Sequence, residues 1–200
     1  MLPPPPVRVL DVACGFGRHM RALASLGYHC VGIELNDEVA AEARAGGLDV
    51  RTLDMRELDR LPGRFEAVIS MWASVGWFDD TTNACVFRLL AEKVAPGGVL
   101  VLELFNREFF EPRQGPFEIR EGIVETKRVE GDRLHVGYDR GGRFEWRLYE
   151  PDELATLTGL GLGSVERSTE AARMRVVLHA SPASSGASAA APITSDATVR

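Results

Sequence analysis

The sequence has few cysteines and lacks both an excess of basic residues and a long apolar run. Three scattered cysteines, Cys14, Cys30 and Cys85, do not have the spacing of metal ligands. We therefore expect no metal site, and we expect buried free thiols in a reducing cytoplasm. No apolar run approaches the ~20 residues that cross a membrane. Residues 1–6 also lack the parts of a secretory signal.

The charge balance argues against a nucleic-acid partner. The 200 residues carry a net charge of -6 at pH 7, whereas nucleic-acid binders usually show a basic patch or stripe. The length fits a single domain with a sizeable core, which we expect over residues 1–180. From residue 181 the chain consists mainly of Ser, Ala, Thr and Pro. Such a segment buries too little to offset its ordering entropy, so we predict a disordered tail over residues 181–200.

Up to residue 105, short apolar runs alternate with helical patterns. This alternation predicts a parallel sheet covered on both faces. Glycines and one Pro-Gly-Gly run indicate where the helices end. The predicted strands are 7–12, 28–34, 49–53, 67–71 and 99–105; the predicted helices are 18–26, 37–45 and 81–94; the predicted stops are 27, 46–47 and 96–98.

After residue 105 the pattern changes to alternating polar and apolar residues between short turns. Runs at 123–129, 134–140 and 143–149 predict an antiparallel insertion over residues 117–149. A short helix over 152–158 and two last strands, near 163–167 and 174–179, follow. The insertion would cap an acceptor site or build the surface of a homodimer.

The most informative segment is residues 9–17, where an apolar strand ends in an acid and a loop of small residues. Asp11 is the acid, and Ala13, Gly15 and Gly17 alternate behind it. Small residues let a ligand approach the backbone closely, and backbone N–H groups face it. The third glycine of a dinucleotide fingerprint is missing.

With Glu34, Asp54 and a Pro-Gly-Gly run following in order, this segment resembles class I (Rossmann-like) S-adenosylmethionine-dependent methyltransferases of the small-molecule type. Ala13 stands where the family usually has glycine. The resemblance implies an α/β fold with a doubly wound, mostly parallel seven-stranded sheet and an antiparallel insertion after the fifth strand. It also implies S-adenosylmethionine as the cofactor, with Asp11 near its methionine end.

The resemblance assigns further cofactor contacts to the ends of the next strands. Glu34, followed by Leu35, would accept the ribose hydroxyls; the alternative is a solvated acid at a strand end. Asp54 would meet the adenine amino group, with Met55 against the ring; the alternative for Asp54 is a turn residue. Met71 lies where the family places the transferring methyl group.

The acceptor side is less defined. Trp72 and Trp77 would form an apolar wall, or would pack under the following helix. Asn106 would orient the acceptor, or would hold its own loop. His19, in a Gly-Arg-His run, is our candidate general base, with a capping or packing role as the alternative.

Four functions compete. The first is transfer of a methyl group to a small-molecule oxygen or nitrogen acceptor. The alternative is a catalytically silent module that binds the cofactor or a protein, because only six residues precede the first strand where relatives carry covering helices. An RNA or protein methyltransferase and a nicotinamide dehydrogenase are the other two. The sequence does not identify the acceptor.

Overall fold

A computed structural model describes residues 2–183, and within that range it has eleven strands, five α-helices and one 3₁₀ helix. The predicted tail lies outside the described residues apart from 181–183. The strands are β1 (Arg8–Val12), β2 (His29–Glu34), β3 (Val50–Thr52), β4 (Phe65–Ser70), β5 (Val94–Phe105), β6 (Gly115–Arg120), β7 (Ile123–Glu130), β8 (Arg133–Tyr138), β9 (Arg143–Arg147), β10 (Gly161–Glu166) and β11 (Arg173–His179). The helices are α1 (Arg18–Ser25), α2 (Asp37–Ala45), the 3₁₀ helix Met55–Arg60, α3 (Asp80–Glu92), α4 (Arg107–Phe110) and α5 (Pro151–Thr158).

Seven strands form one sheet in the order β10-β11-β5-β4-β1-β2-β3. The five strands from β5 to β3 are parallel, and β11 runs antiparallel to both of its neighbours. The predicted fold class is thereby confirmed. Strand order reverses between β1 and β4, which is where ligands bind in open α/β sheets.

Alternate residues along the strands fill two cores. Leu10, Leu100 and Leu102 point towards α3 and α5, where they join Phe87. Val9, Ala67 and Val101 are among the residues on the opposite face, where Leu23 of α1 packs against them. Full burial of a Leu or Phe side chain contributes about 1.5–3 kcal/mol. Packing in these two cores fixes the position of the sheet edge at which β1, β2, β4 and β5 end.

The Pro-Gly-Gly run at 96–98 does not end a helix as predicted. Helix α3 already ends at Glu92, and the run lies inside β5. The register between β4 and β5 shifts there, from Phe65 opposite Val94 to Ala67 opposite Val99. A Cβ on Gly98 would lie 2.8 Å from the carbonyl oxygen of Glu66. Close strand pairing, which the local sequence does not reveal, therefore explains the glycine.

The predicted insertion forms a separate four-stranded antiparallel sheet, β6-β7-β8-β9, which we call the small sheet. Strand β6 was not predicted, because five of its six residues are exposed and show no alternation. The small sheet packs on α4 through Phe110, Leu134, Val136 and Leu148.

The cysteine prediction was partly wrong. Cys14 is buried, Cys30 is intermediate and Cys85 is exposed. Within residues 2–183 no group of three or more His, Cys, Asp or Glu side chains is placed to hold a metal ion. None of the helices described is both long and apolar enough to cross a membrane.

Candidate functional site

The loop after β1 has a backbone that favours small residues. Ala13, Gly15 and Gly17 all have positive φ angles, of 61°, 55° and 78°. A Cβ on Gly15 would meet no atom within 4 Å, so this glycine borders open space. A Cβ on Gly17 would collide with Leu48. The positive φ angles therefore favour small residues throughout the loop, and at Gly15 the backbone is open to a ligand.

Asp11 is a buried acid, one residue before the end of β1. Only 1% of the residue is exposed, and its Oδ2 atom is buried with no hydrogen-bond partner. Burial raises the pKa of its carboxyl to about 7; the nearby Arg18 opposes this rise and Glu34 adds to it. An unpaired buried carboxylate is costly to the folded chain. It therefore marks a place where a cationic or hydrogen-bonding ligand group would be favoured.

Glu34 joins the end of β2 to the glycine loop. One carboxylate oxygen accepts the Gly15 N–H at 3.0 Å, and the other accepts the Asn36 N–H at 2.9 Å. Each oxygen retains a further lone pair. The carboxylate is thus fixed beside the loop with acceptor capacity left for two hydroxyl groups.

The contacts of Asp54 are those of a turn residue, which was the alternative to the predicted adenine contact. It caps the 3₁₀ helix by accepting the Arg56 N–H at 2.8 Å. The Arg56 guanidinium also pairs with the carboxylate at 2.5 Å, and its hydrogen bonds lower the pKa of Asp54. The arrangement holds the loop after β3 by local contacts. The predicted adenine contact stays a prediction.

Three other predicted cofactor residues lie at this edge of the sheet in different environments. Leu35 is exposed, just beyond Glu34. Met55 is half-buried against the core on the α3 side. Met71 packs against the opposite core, directly after β4. None of these contacts tests their assigned roles.

Trp72 follows β4 in a left-handed conformation, with φ 63°, and Ala73 has φ 54°. Glu103 of β5 holds both residues. Its carboxylate accepts the Trp72 N–H at 3.0 Å, and its carbonyl oxygen accepts the Ala73 N–H at 2.9 Å. The guanidinium groups of Arg18 and Arg173 lie 4.6 and 4.0 Å from the centre of a Trp72 ring. The exposed indole is therefore held in place from α1, β5 and β11.

Trp77 packs against aromatic side chains of the small sheet. Its ring centre lies 4.1 Å from that of Trp146, and Phe144 meets it edge-on at 6.2 Å. Its indole N–H donates to the Ala73 carbonyl at 3.2 Å. Trp77 remains 46% exposed. It thus connects the loop after β4 to the small sheet while keeping an apolar surface open.

His19 lies in the first turn of α1. Burial lowers the pKa of its imidazole, Arg18 lowers it further, and Glu103 opposes the change. Its Nε2 atom is 3.5 Å from Nη2 of Arg18. The lowered pKa favours the neutral ring, which is the state a proton acceptor requires.

The contacts of Asn106 are those of a residue that holds its own loop, which was the alternative to orienting an acceptor. It is fully buried, caps α4 through the Glu108 N–H, and donates from Nδ2 to the carbonyl oxygens of Ser168 and Ala171. All its polar atoms are used within the chain. These contacts favour the alternative in which Asn106 holds its own loop, and its role in orienting an acceptor stays a prediction.

Three residues of this edge were not predicted from the sequence: Glu103, Arg18 and Arg173. Glu103 interrupts the apolar run of β5, and an acid in a buried parallel strand was the available signal. The arginines gave no such signal, because they lie 155 positions apart and meet only at Trp72.

The described residues fit S-adenosylmethionine. The unpartnered carboxylate of Asp11 matches a cationic ammonium group, and Gly15 leaves open space beside it. Glu34 keeps acceptor capacity for a ribose. Asp11 and Gly15 belong to β1 and its following loop, at the point where the strand order reverses, and Glu34 ends the adjacent strand β2.

Comparisons with known proteins agree with this geometry. Residues 9–98 match the methyltransferase domain family. Over 99 residues the chain is 38% identical to dTDP-3-amino-3,4,6-trideoxy-alpha-D-glucopyranose N,N-dimethyltransferase of Streptomyces venezuelae, covering 48% of this chain and 41% of that protein. It is 34% identical over 110 residues to ubiquinone biosynthesis O-methyltransferase of Xanthomonas campestris, covering 52% and 45%. The chain thus spans about half the length of these curated relatives.

A solved structure extends the similarity along most of the chain. It is CalS10, an amino pentose methyltransferase from Micromonospora echinaspora, solved with S-adenosylmethionine bound. The TM-score is 0.67 at 26% sequence identity, covering 88% of this chain and 84% of that one. S-adenosylmethionine is the cofactor of this family. From its fold and its domain match, the chain belongs to the class I S-adenosylmethionine-dependent methyltransferases.

Proposed function

We propose that this protein transfers a methyl group from S-adenosylmethionine to an oxygen or nitrogen atom of a small molecule. The observation that carries the proposal is the buried, unpartnered carboxylate of Asp11 beside the open glycine loop. Relatives named as an amino-sugar N,N-dimethyltransferase and a ubiquinone biosynthesis O-methyltransferase support a small acceptor. The acidic net charge argues against RNA.

The cofactor, when bound, supplies a methyl group on a positively charged sulfur. The protein then has to orient the acceptor and exclude water, and orientation alone contributes up to ~7–11 kcal/mol. In the proposed arrangement Asp11 holds the methionine end of the cofactor and Glu34 holds its ribose. Trp72 and Trp77 provide exposed apolar surface beyond β4, next to the small sheet.

Calorimetric titration with S-adenosylmethionine and S-adenosylhomocysteine, with NAD as the control, tests the proposal. We expect micromolar binding of the first two and none of NAD. A panel of amino-sugar and phenol acceptors, assayed with labelled methyl donor, then tests transfer. Binding without turnover on any acceptor favours a silent module, and absence of binding contradicts the proposed site.

His19 is proposed as the base that removes a proton from the acceptor. Its pKa is lowered from the ordinary imidazole value, which favours the neutral form that can accept a proton. We expect log kcat to fall with decreasing pH only below about 6.5. The pH profile of His19→Gln should lack this fall, with cofactor affinity unchanged. An identical profile in the variant would remove His19 from the mechanism.

A further inference from the structure

We propose that Glu103 is a positioning residue, which holds Trp72 in a strained conformation so that its indole forms a fixed surface for the acceptor. This inference rests on the proposed function and assigns a positioning role within the same site. Two residues carry it, each locally unfavourable where it stands, and a single hydrogen bond joins them.

The first observation is the conformation of Trp72. Its φ angle of 63° lies in the left-handed region, which glycine adopts without strain and a bulky residue does not. The next residue, Ala73, has a φ angle of 54° and is not a glycine either. Burial of the indole contributes little against this strain, because Trp72 is 52% exposed. A tryptophan at this position therefore serves something other than the turn or the core.

The second observation is the acid that opposes the strain. Glu103 lies in β5 between the buried Leu102 and Leu104, where an apolar residue is usual, and only 15% of its side chain is exposed. Its carboxylate accepts the Trp72 N–H at 3.0 Å. Its own carbonyl oxygen accepts the Ala73 N–H at 2.9 Å. The side chain of Glu103 thus fixes the first left-handed residue, and its backbone fixes the second.

The third observation is that arginines hold both the carboxylate and the indole. Nε of Arg173 lies 3.2 Å from one carboxylate oxygen of Glu103, and Nη2 of Arg175 lies 3.8 Å from the other. These ion pairs offset the cost of a charge inside the strand. The guanidinium groups of Arg173 and Arg18 lie 4.0 and 4.6 Å from the centre of a Trp72 ring, contacts that orient the indole.

The position of Trp72 connects these contacts to methyl transfer. Asp11 of β1 pairs with Ile69 of β4, and Trp72 follows three residues after Ile69. The residue therefore lies at the sheet edge where the strand order reverses, beside the residues proposed to hold the cofactor. An exposed indole that is already immobile offers a flat apolar surface to an acceptor ring, and binding then orders no protein side chain there.

Glu103→Ala and Glu103→Gln test the assignment, because the glutamine oxygen can still accept the Trp72 N–H. The first measurement is the fluorescence anisotropy decay of Trp72, in a protein that also carries Trp77→Phe and Trp146→Phe. We expect Glu103→Ala to add a fast component from motion of the released indole. We expect Glu103→Gln to lack this component.

The second measurement is kinetic and uses whichever acceptor of the amino-sugar and phenol panel reacts fastest. We expect Glu103→Ala to raise the KM of this acceptor about tenfold, because the indole no longer has one position. The Kd for S-adenosylhomocysteine should be unchanged. Glu103→Gln should restore most of the KM, which a loss of folding stability alone would not predict.

Glu66→Ala is the matched control, because the Glu66 carboxylate accepts the Arg8 N–H at 2.9 Å, at the opposite end of the sheet. It removes a contact of the same kind and should change neither the anisotropy decay nor the KM. An indole that stays immobile in Glu103→Ala, or an equal loss of acceptor and cofactor binding, would overturn the inference. If the unmodified protein binds no S-adenosylhomocysteine or methylates no acceptor, the proposed function fails and the acceptor role of Trp72 fails with it. The anisotropy decay then still shows whether Glu103 holds the indole.

Discussion

Replacing Asp11 by asparagine is expected to stabilise the free protein and to weaken cofactor binding severely. In the folded chain the pKa of Asp11 is raised from 3.8 to about 7 by burial. The folded state therefore holds its proton at pH values where the unfolded state has released it. Stability consequently falls as pH rises from about 4 to about 7 and is then constant.

Asparagine removes this cost because it does not ionise. We expect Asp11→Asn to raise the free energy of unfolding by roughly 1–3 kcal/mol at pH 8, and by less at pH 5. Binding of S-adenosylhomocysteine should weaken by at least about 2 kcal/mol, or roughly 30-fold, because the cationic end loses its buried partner.

Denaturant unfolding at both pH values and calorimetry measure the two effects. Asp59→Asn, at an exposed acid in the 3₁₀ helix, is the control and should change neither. A variant of Asp11 that is less stable at pH 8 would show that the carboxylate has a partner in solution. Unchanged affinity would remove Asp11 from the cofactor site.

Replacing Glu34 by alanine should weaken cofactor binding about 10- to 150-fold. The estimate follows from the 1.5–3 kcal/mol that hydrogen bonds to a charged group contribute. The same change leaves the Gly15 and Asn36 N–H groups without their acceptor, so the glycine loop loses a restraint. Both effects act in the same direction on the Kd for S-adenosylhomocysteine.

Glu34→Gln separates the two contributions, because its amide oxygen still accepts one N–H group. We expect it to retain more affinity than the alanine variant. Glu42→Ala, at an exposed acid on the neighbouring helix α2, provides the matched control. Equal affinities in the Glu34→Ala protein and the unmodified protein would reject the proposed cofactor orientation.

Features that depend on residues close together in the sequence were predicted correctly. Residues 9–17 combine an apolar strand, an acid and small residues, and the structure has the corresponding strand and left-handed loop there. The alternation of strands and helices predicted a parallel sheet, which β1 to β5 form, and the resemblance to the family implied its seven strands. These features depend on neighbouring residues, so periodicity and turn chemistry were sufficient.

Features that depend on distant partners were not predicted. Strand β6 pairs only with β7 and has little buried surface. The contact between Trp77, in the loop after β4, and Trp146, in β9 of the small sheet, was not predicted. Asn106 looked available because the carbonyl oxygens it binds are more than 60 positions away. Contacts of this range require the tertiary structure.

The residues proposed to hold the cofactor and the strands of the small sheet come from separate segments of the chain. Asp11, the glycine loop and Glu34 come before residue 35, whereas the small sheet is built after residue 114. Trp77 and α4 fasten that sheet to the domain through side-chain packing. Because these segments are separate, we expect substitutions in β6 to β9 to leave the loop after β1 and the position of Glu34 unchanged. Under the proposed function, acceptor preference can therefore change in one segment of the chain while the cofactor residues in the other are kept.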